Sequence, residues 1–235
     1  MDIGILANSL PAALNIYDEI NKVARGSVFV LICPQDHQPN DLVRHGARLI
    51  FRGGRWKSLR LTLAGKVVYL RKALDHPQTI ARLRKLNLDL GLHKSGNIYR
   101  HATISSFRLG ILNAHIGLLP KYRGRSVMEW TLLQGDAIGI SVFFVDEGID
   151  TGQELVLSQE IDISHCDSID EAKQYLFNQD AQFYRHAIER LNVADVTYQT
   201  IDENGRRFFV MSELFRDVAE KCLAIRSPKS EIQNK

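Results

Sequence analysis

With 235 residues and 45% apolar side chains, the chain can bury one large α/β core or two small ones, which excludes a disordered polymer. A formal charge of +3, with both signs spread along most of the length, argues against a dedicated nucleic-acid binder. Apolar runs fall far short of a membrane span, and Cys33, Cys166 and Cys222 are spaced for neither a disulfide framework nor a zinc site.

The start "MDIGILANSLP" has neither a basic leader nor a cleavage site, and a reducing cytoplasm is the expected setting. "IGILA" reads as a short buried strand, and "NSLPAALNIYDEINKVA" as a helix entered at Asn8 or Ser9 with Pro11 in its first turn. "SVFVLICP" is a second strand, followed by a short helix "DLVRHGA", the strand "RLIF", a basic helical stretch, a helix "PQTIARLRKLN" and the strand "LDLGLH". "RLGILNAHIG" supplies another strand, "SVMEWTLLQG" a helix ending at Gly135, and "GISVFFVDE" a further strand. From Ser168 the pattern is a long amphipathic helix with a capping box to Glu171. "DENGRRFFVMSELFRDVAEKCL" has the look of a hairpin followed by a helix, and "KSEIQNK" is a polar tail. Strands separated by helices imply parallel pairing and a three-layer α/β sandwich. Residues 1–200 are expected to form the main domain and 201–235 a C-terminal hairpin and helix extension.

In an open parallel sheet the ligand sits at the carboxyl ends of the strands. Asn113 and His115 close such a strand, two places apart and therefore on one face. Downstream, "VDEGIDTGQELV" crowds Asp146, Glu147 and Asp150 around Gly148 and ahead of Gly152, so one carboxylate can meet the imidazole if the loop folds over the same pocket. An amide donor, a base and an acid together suit acyl transfer to an amine, and without a nearby serine or cysteine nucleophile the amine would attack directly. Taken alone, Asn-x-His at a strand end is more often a hydrogen-bonded structural pair, and Asp146 and Glu147 fit a solvated turn.

"LNAHIGLLPKYRG", followed after a helix by "GISVFFVDEGIDTGQEL", resembles the 10-formyltetrahydrofolate-dependent formyltransferases, over roughly residues 109 to 157. The resemblance implies a Rossmann-like sandwich with a mostly parallel sheet and a catalytic trio of Asn113, His115 and Asp150. It also implies 10-formyltetrahydrofolate as co-substrate, with no metal, lying between Ser95, Gly96, Asn97, Ile98 and Tyr99 on one side and Val145, Asp146, Glu147 and Gly148 on the other. Phe143 stands where many small-molecule members carry a histidine, and "ANSLPAAL" lacks the glycines that let backbone amides cradle a phosphate in the glycinamide ribonucleotide enzymes. One long helix and a short tail follow the sheet, where the methionyl-tRNA enzymes usually append a β-barrel. The implied acceptor is thus a small-molecule amine, phosphorylated or nucleotide-linked sugars included. A phosphoribosylglycinamide or methionyl-tRNA formyltransferase, a formyltetrahydrofolate hydrolase and a non-catalytic folate-binding module are the alternatives. Oligomeric state is left open, a dimer included.

Other residues have weaker claims. Arg123 could grip a carboxylate or lie on the surface. Between Arg44 and Lys85, twelve basic residues face one acid, Asp75, which reads as a solvated face, with a patch for a phosphorylated acceptor as the rival. Trp56 beside it could stack on a base. His93, Lys94 and His101 read as loop residues without a named partner, and Cys33 as a small buried hydrophobe.

Overall fold

The computed structural model describes residues 1–33, 55–151, 154–193, 199–200 and 205–226; the expected helix "DLVRHGA" and strand "RLIF" lie outside them. Apolar residues at successive positions form β1 (Ile3–Ala7), which sends Ile3, Ile5 and Ala7 into one core and Leu6 into another. Pro11 sits in the first turn of α1 (Leu10–Val23), whose N-cap is Ser9. In chain order there follow β2 (Val28–Ile32), α2 (Arg55–Leu63), β3 (Val67–Tyr69), α3 (Pro77–Leu86), β4 (Leu90–Lys94) and α4 (His101–Ile104). Next come β5 (Gly110–His115), β6 (Tyr122–Gly124), α5 (Val127–Gln134), β7 (Gly139–Phe144) and β8 (Glu154–Glu160). The described chain closes with α6 (Ile169–Leu191), β9 (Gln199–Thr200), β10 (Arg206–Phe208) and α7 (Glu213–Arg226).

The main sheet has the order β3-β2-β1-β4-β5-β7-β8-β9. Pairing is parallel from β3 through β5 and antiparallel from β5 through β9, which gives the mostly parallel α/β sandwich expected. One face is covered by α1 and α6, which supply Ile16, Ile20, Leu176 and Ile188 to the larger core. The opposite core gathers Leu31, Leu83, Tyr99, Phe107 and Ile111. In α6 the buried positions 169, 172, 176, 180, 181, 183, 184, 187 and 188 follow the helical period, and Ser168 Oγ accepts from the Glu171 amide at 3.2 Å. The carboxylate of Glu171 returns to the Asp167 amide at 2.8 Å, one residue earlier than a standard capping box.

The expected C-terminal hairpin is corrected. β9 pairs antiparallel with β8, whereas β10 pairs parallel with β6 in a separate two-stranded sheet. Strand-like alternation shows that a segment is extended and says nothing of its partner. The helix after it is present, and α7 adds Ala219 and Leu223 to the larger core. No helix among the described residues is long and apolar enough to cross a membrane.

Candidate active site

Alternation along β5 turns Ile111, Asn113 and His115 to one face of the sheet and Leu112 to the other. His115 is buried at the strand's carboxyl end, and its Nε2 lies 2.8 Å from the Tyr122 carbonyl oxygen. A carbonyl only accepts, so Nε2 holds the proton and Nδ1 is left with its lone pair. That Nδ1 is 3.6 Å from Asp150 Oδ2, an ion-pair distance once the ring is protonated and too long for a hydrogen bond. The ring is therefore oriented by the backbone of β6, and Asp150 adds charge beside it.

Asp150 has φ +49, and its carboxylate accepts from the Gly124 amide at 3.0 Å and stands 3.5 Å from Asn113 Nδ2. Left-handed backbone is uncommon outside glycine, and Ser126, at φ +50 beside the same site, shares it. Arg123 donates to the carbonyls of Ile149 and Gly205, both at 3.5 Å, so it ties the Asp150 loop to the segment before β10.

Two hollows meet at His93 and Asn113. The smaller, about 110 Å³, lies among Asn97, Ile98, Tyr99, Phe143 and Val145, with Asp146, Gly148 and Asp150 on the loop side. Apolar walls with polar groups at the rim suit a flat heteroaromatic ring, so the residues fit the pterin of a folate. Of the nine folate contacts expected, Asn97, Ile98, Tyr99, Val145, Asp146 and Gly148 line this hollow. Gly96 lines the larger one, Ser95 is buried beneath with its Oγ 3.1 Å from the Tyr99 hydroxyl, and exposed Glu147 stands 3.9 Å from His101. The larger hollow, about 450 Å³, is reached by His93, Asn113 and His115 from the sheet, by Gly124 and Glu129, and by Asp180 from α6.

His93 and Lys94 are corrected: they end β4 and face this larger hollow from opposite sides of the sheet. His93 Nδ1 lies 2.6 Å from the Tyr99 hydroxyl, and burial pulls its pKa down to about 4, with Asp150 opposing and Lys94 assisting that fall. Lys94 is paired with Asp180, whose carboxyl burial pushes above the usual carboxylate range while Lys94 draws it back. Tyr184 donates to the His93 carbonyl at 2.6 Å and accepts from the Ala114 amide at 3.0 Å. A polar residue on the apolar stripe of a helix was the available signal for both Asp180 and Tyr184.

Elsewhere the basic stretch is spread out. Lys57 is paired with Asp18, Lys66 donates to Ser27 Oγ at 3.1 Å, and Arg82 donates to the Tyr69 carbonyl at 3.1 Å. Trp56 is 80% exposed and lines neither hollow. Cys33 is buried, and desolvation pushes its thiol up to about 12, which leaves it unreactive. Among the described residues no cluster of three or more His, Cys, Asp or Glu could hold a metal ion.

A family model described as formyl transferase matches residues 12–188. Methionyl-tRNA formyltransferase of Thermodesulfovibrio yellowstonii is 30% identical over 120 residues, which are 50% of this chain and 39% of that protein. The chain spans about two fifths of the length of the curated relatives it matches. Among solved structures, a sugar N-formyltransferase from Shewanella sp. superposes with a TM-score of 0.65 at 13% identity, over 95% of this chain and 87% of that one. The formyltransferase PseJ from Anoxybacillus kamchatkensis, solved with UDP-4,6-dideoxy-4-formamido-L-AltNAc and tetrahydrofolate, has a TM-score of 0.53 at 15% identity, covering 88% of this chain and 85% of that one.

Proposed function

The chain belongs to the formyl transferase family, and on that premise we propose that it moves a formyl group from 10-formyltetrahydrofolate to the amine of a small-molecule acceptor. The observation that supports this reading is the convergence of Asn113, His115 and Asp150 where a smaller hollow meets a larger one. The folate supplies the formyl carbon, and its ring belongs in the smaller hollow. Asn113 Nδ2 donates to the formyl oxygen as charge gathers there, a role worth on the order of 3 kcal/mol for a single such donor. His115 Nδ1, open on the side away from the Tyr122 carbonyl, receives the proton that the attacking amine sheds and passes it to the folate nitrogen as the bond from that nitrogen to the formyl carbon breaks. Asp150, fixed by the Gly124 amide, compensates the imidazolium so formed.

The acceptor enters the larger hollow. Nucleotide-linked amino sugars are favoured by the likeness to sugar N-formyltransferases, and a methionyl-tRNA acceptor by the named relatives. We assign residues 1–200 to the catalytic unit and 201–235 to an extension, and place the protein in a reducing cytoplasm, in keeping with three free cysteines. The test is release of tetrahydrofolate from 10-formyltetrahydrofolate by the purified protein. The panel is dTDP-linked amino sugars, glycinamide ribonucleotide, ornithine, charged initiator methionyl-tRNA, and no acceptor. Release dependent on a small amine supports the reading. Release with methionyl-tRNA alone, or with no acceptor, replaces it by the tRNA enzyme or a hydrolase, and binding without release by a folate-binding module.

A further inference from the structure

Glu129 lies in the first turn of α5, is 2% exposed, and lines the larger hollow. Its Oε1 is paired with Lys173 of α6, and its Oε2, buried, has no hydrogen-bond partner among the described residues. An ionised carboxylate at such depth normally fills its remaining acceptor sites, because leaving them bare forfeits solvation without return. The other charges of the hollow are already matched. Lys94 is joined to Asp180 and Lys173 to Glu129, and His93 is neutral. Among the described residues no uncompensated lysine or arginine lines the hollow for a phosphate or carboxylate, while one bare acceptor remains for a donor. Apolar surface is supplied by Phe177, 53% exposed, and by Val127 and Met128.

We propose that Glu129 is the residue that selects the acceptor: Oε2 accepts a hydrogen bond from a hydroxyl of an uncharged, polyhydroxylated amine seated in this hollow, an amino sugar, with any phosphate left outside. The proposal rests on the formyl-transfer reading above and names the class of substrate for that same site. Lys173 positions Glu129 through the ion pair and touches no reacting atom. The C–H face of a sugar ring matches Phe177, and its hydroxyls match Oε2.

The probes are dTDP-linked 3-amino-3,6-dideoxyglucose and 4-amino-4,6-dideoxyglucose, with deoxy analogues in which each ring hydroxyl is removed in turn. At saturating 10-formyltetrahydrofolate, E129L should raise KM for the better probe roughly 10- to 100-fold, the range for a hydrogen bond to a charged group, with kcat little changed. E129Q, which keeps an acceptor oxygen, should recover part of the loss. One deoxy analogue should show the same KM rise with the wild-type protein and no further rise with E129L, the mark of a direct pair. An unchanged KM in E129L, or additive losses from variant and analogue, overturns the inference and leaves formyl transfer standing. So does wild-type turnover confined to an amine without hydroxyls, such as ornithine. No turnover of any amine overturns the functional reading and this inference with it. Where circular dichroism shows that E129L does not fold, the analogue series on the wild-type protein decides: a hydroxyl whose loss raises KM about tenfold or more supports the pair, and none doing so overturns it.

Discussion

The His115 imidazole is held at one nitrogen and open at the other, so its two neighbours have separable roles. Removing the ring should abolish proton removal, and D150N should keep the shape beside it while deleting the charge. We expect H115A to lower kcat about 10²- to 10⁴-fold and D150N about 10²-fold or more, with unchanged circular dichroism. Near-wild-type turnover in either variant removes that residue from the chemistry. His93, a few ångströms of sheet away, makes a different prediction, because burial lowers its pKa to about 4 from the ordinary 6.5. A depressed histidine contributes in full above 6.5; as pH falls towards 4 the unfolded chain takes up the proton first, and that stability is lost. Urea melts should show the wild-type protein losing roughly 3 kcal/mol more than H93Q over that window, and equal losses would mean that folding does not desolvate the His93 ring. That Asn113, His115 and Asp150 come together was legible in the sequence because all three fall within residues 109–157, which the resemblance covers. His93 was not, since a lone histidine at the end of "LDLGLH" shows its depth only once β1 and β5 lie on either side of it.

At the scale of elements, the turn after β5 and the short strand β6 form the mould for the ring. Gly117 has no room for a side chain: a Cβ there would meet His115 Nε2 at 2.7 Å and the Tyr122 carbonyl oxygen at 2.8 Å, the two ends of the bond that orients the imidazole. G117A should therefore cost about 1–3 kcal/mol of stability through crowding and roughly 10²-fold in kcat/KM through misplacement of the ring. Stability lost without activity would show that the ring is positioned from elsewhere. Gly124, at φ +102, passes so close to Phe208 that a Cβ would lie 2.2 Å from its carbonyl oxygen, which lets β10 pair with β6. Such a pairing joins segments some eighty residues apart, and neither segment's pattern announces it. For the same reason β3, three residues long, and β8, with its three exposed final residues, escaped a reading based on apolar runs. Helices fared better: Pro11, Gly135 and Ser168 mark ends by local chemistry that needs no partner.

Across the whole molecule the larger hollow exists because the sheet parts at its carboxyl edge. β4 and β5 pair in register only as far as Leu92 with Leu112. Beyond that pair the His93 carbonyl and the Ala114 amide are bridged by the Tyr184 hydroxyl, which α6 inserts from the face it covers. The alternation of strands and helices made the three-layer sandwich legible, but a helix twenty-three residues long completing the site was visible only as an amphipathic stripe. Asp180 and Tyr184 interrupt that stripe one turn apart, level with the strand ends; Asp180 lines the hollow and Tyr184 bridges the two strands beside it. Y184F keeps the ring and its packing but leaves a half-buried carbonyl and a half-buried amide without their partner. Each such loss costs about 1–3 kcal/mol, so the variant should unfold at lower urea by an amount in that range or above it. Because the freed amide belongs to Ala114, between Asn113 and His115, the strand end should also lose its fixed position. We expect kcat to fall in Y184F while KM for the folate, whose proposed hollow is lined mainly by the segments around Ile98 and Ile149, stays near the wild-type value. A stability loss with kcat unchanged would show that β5 holds the trio in place through its antiparallel pairing with β7 alone, and that α6 serves the site only as a wall.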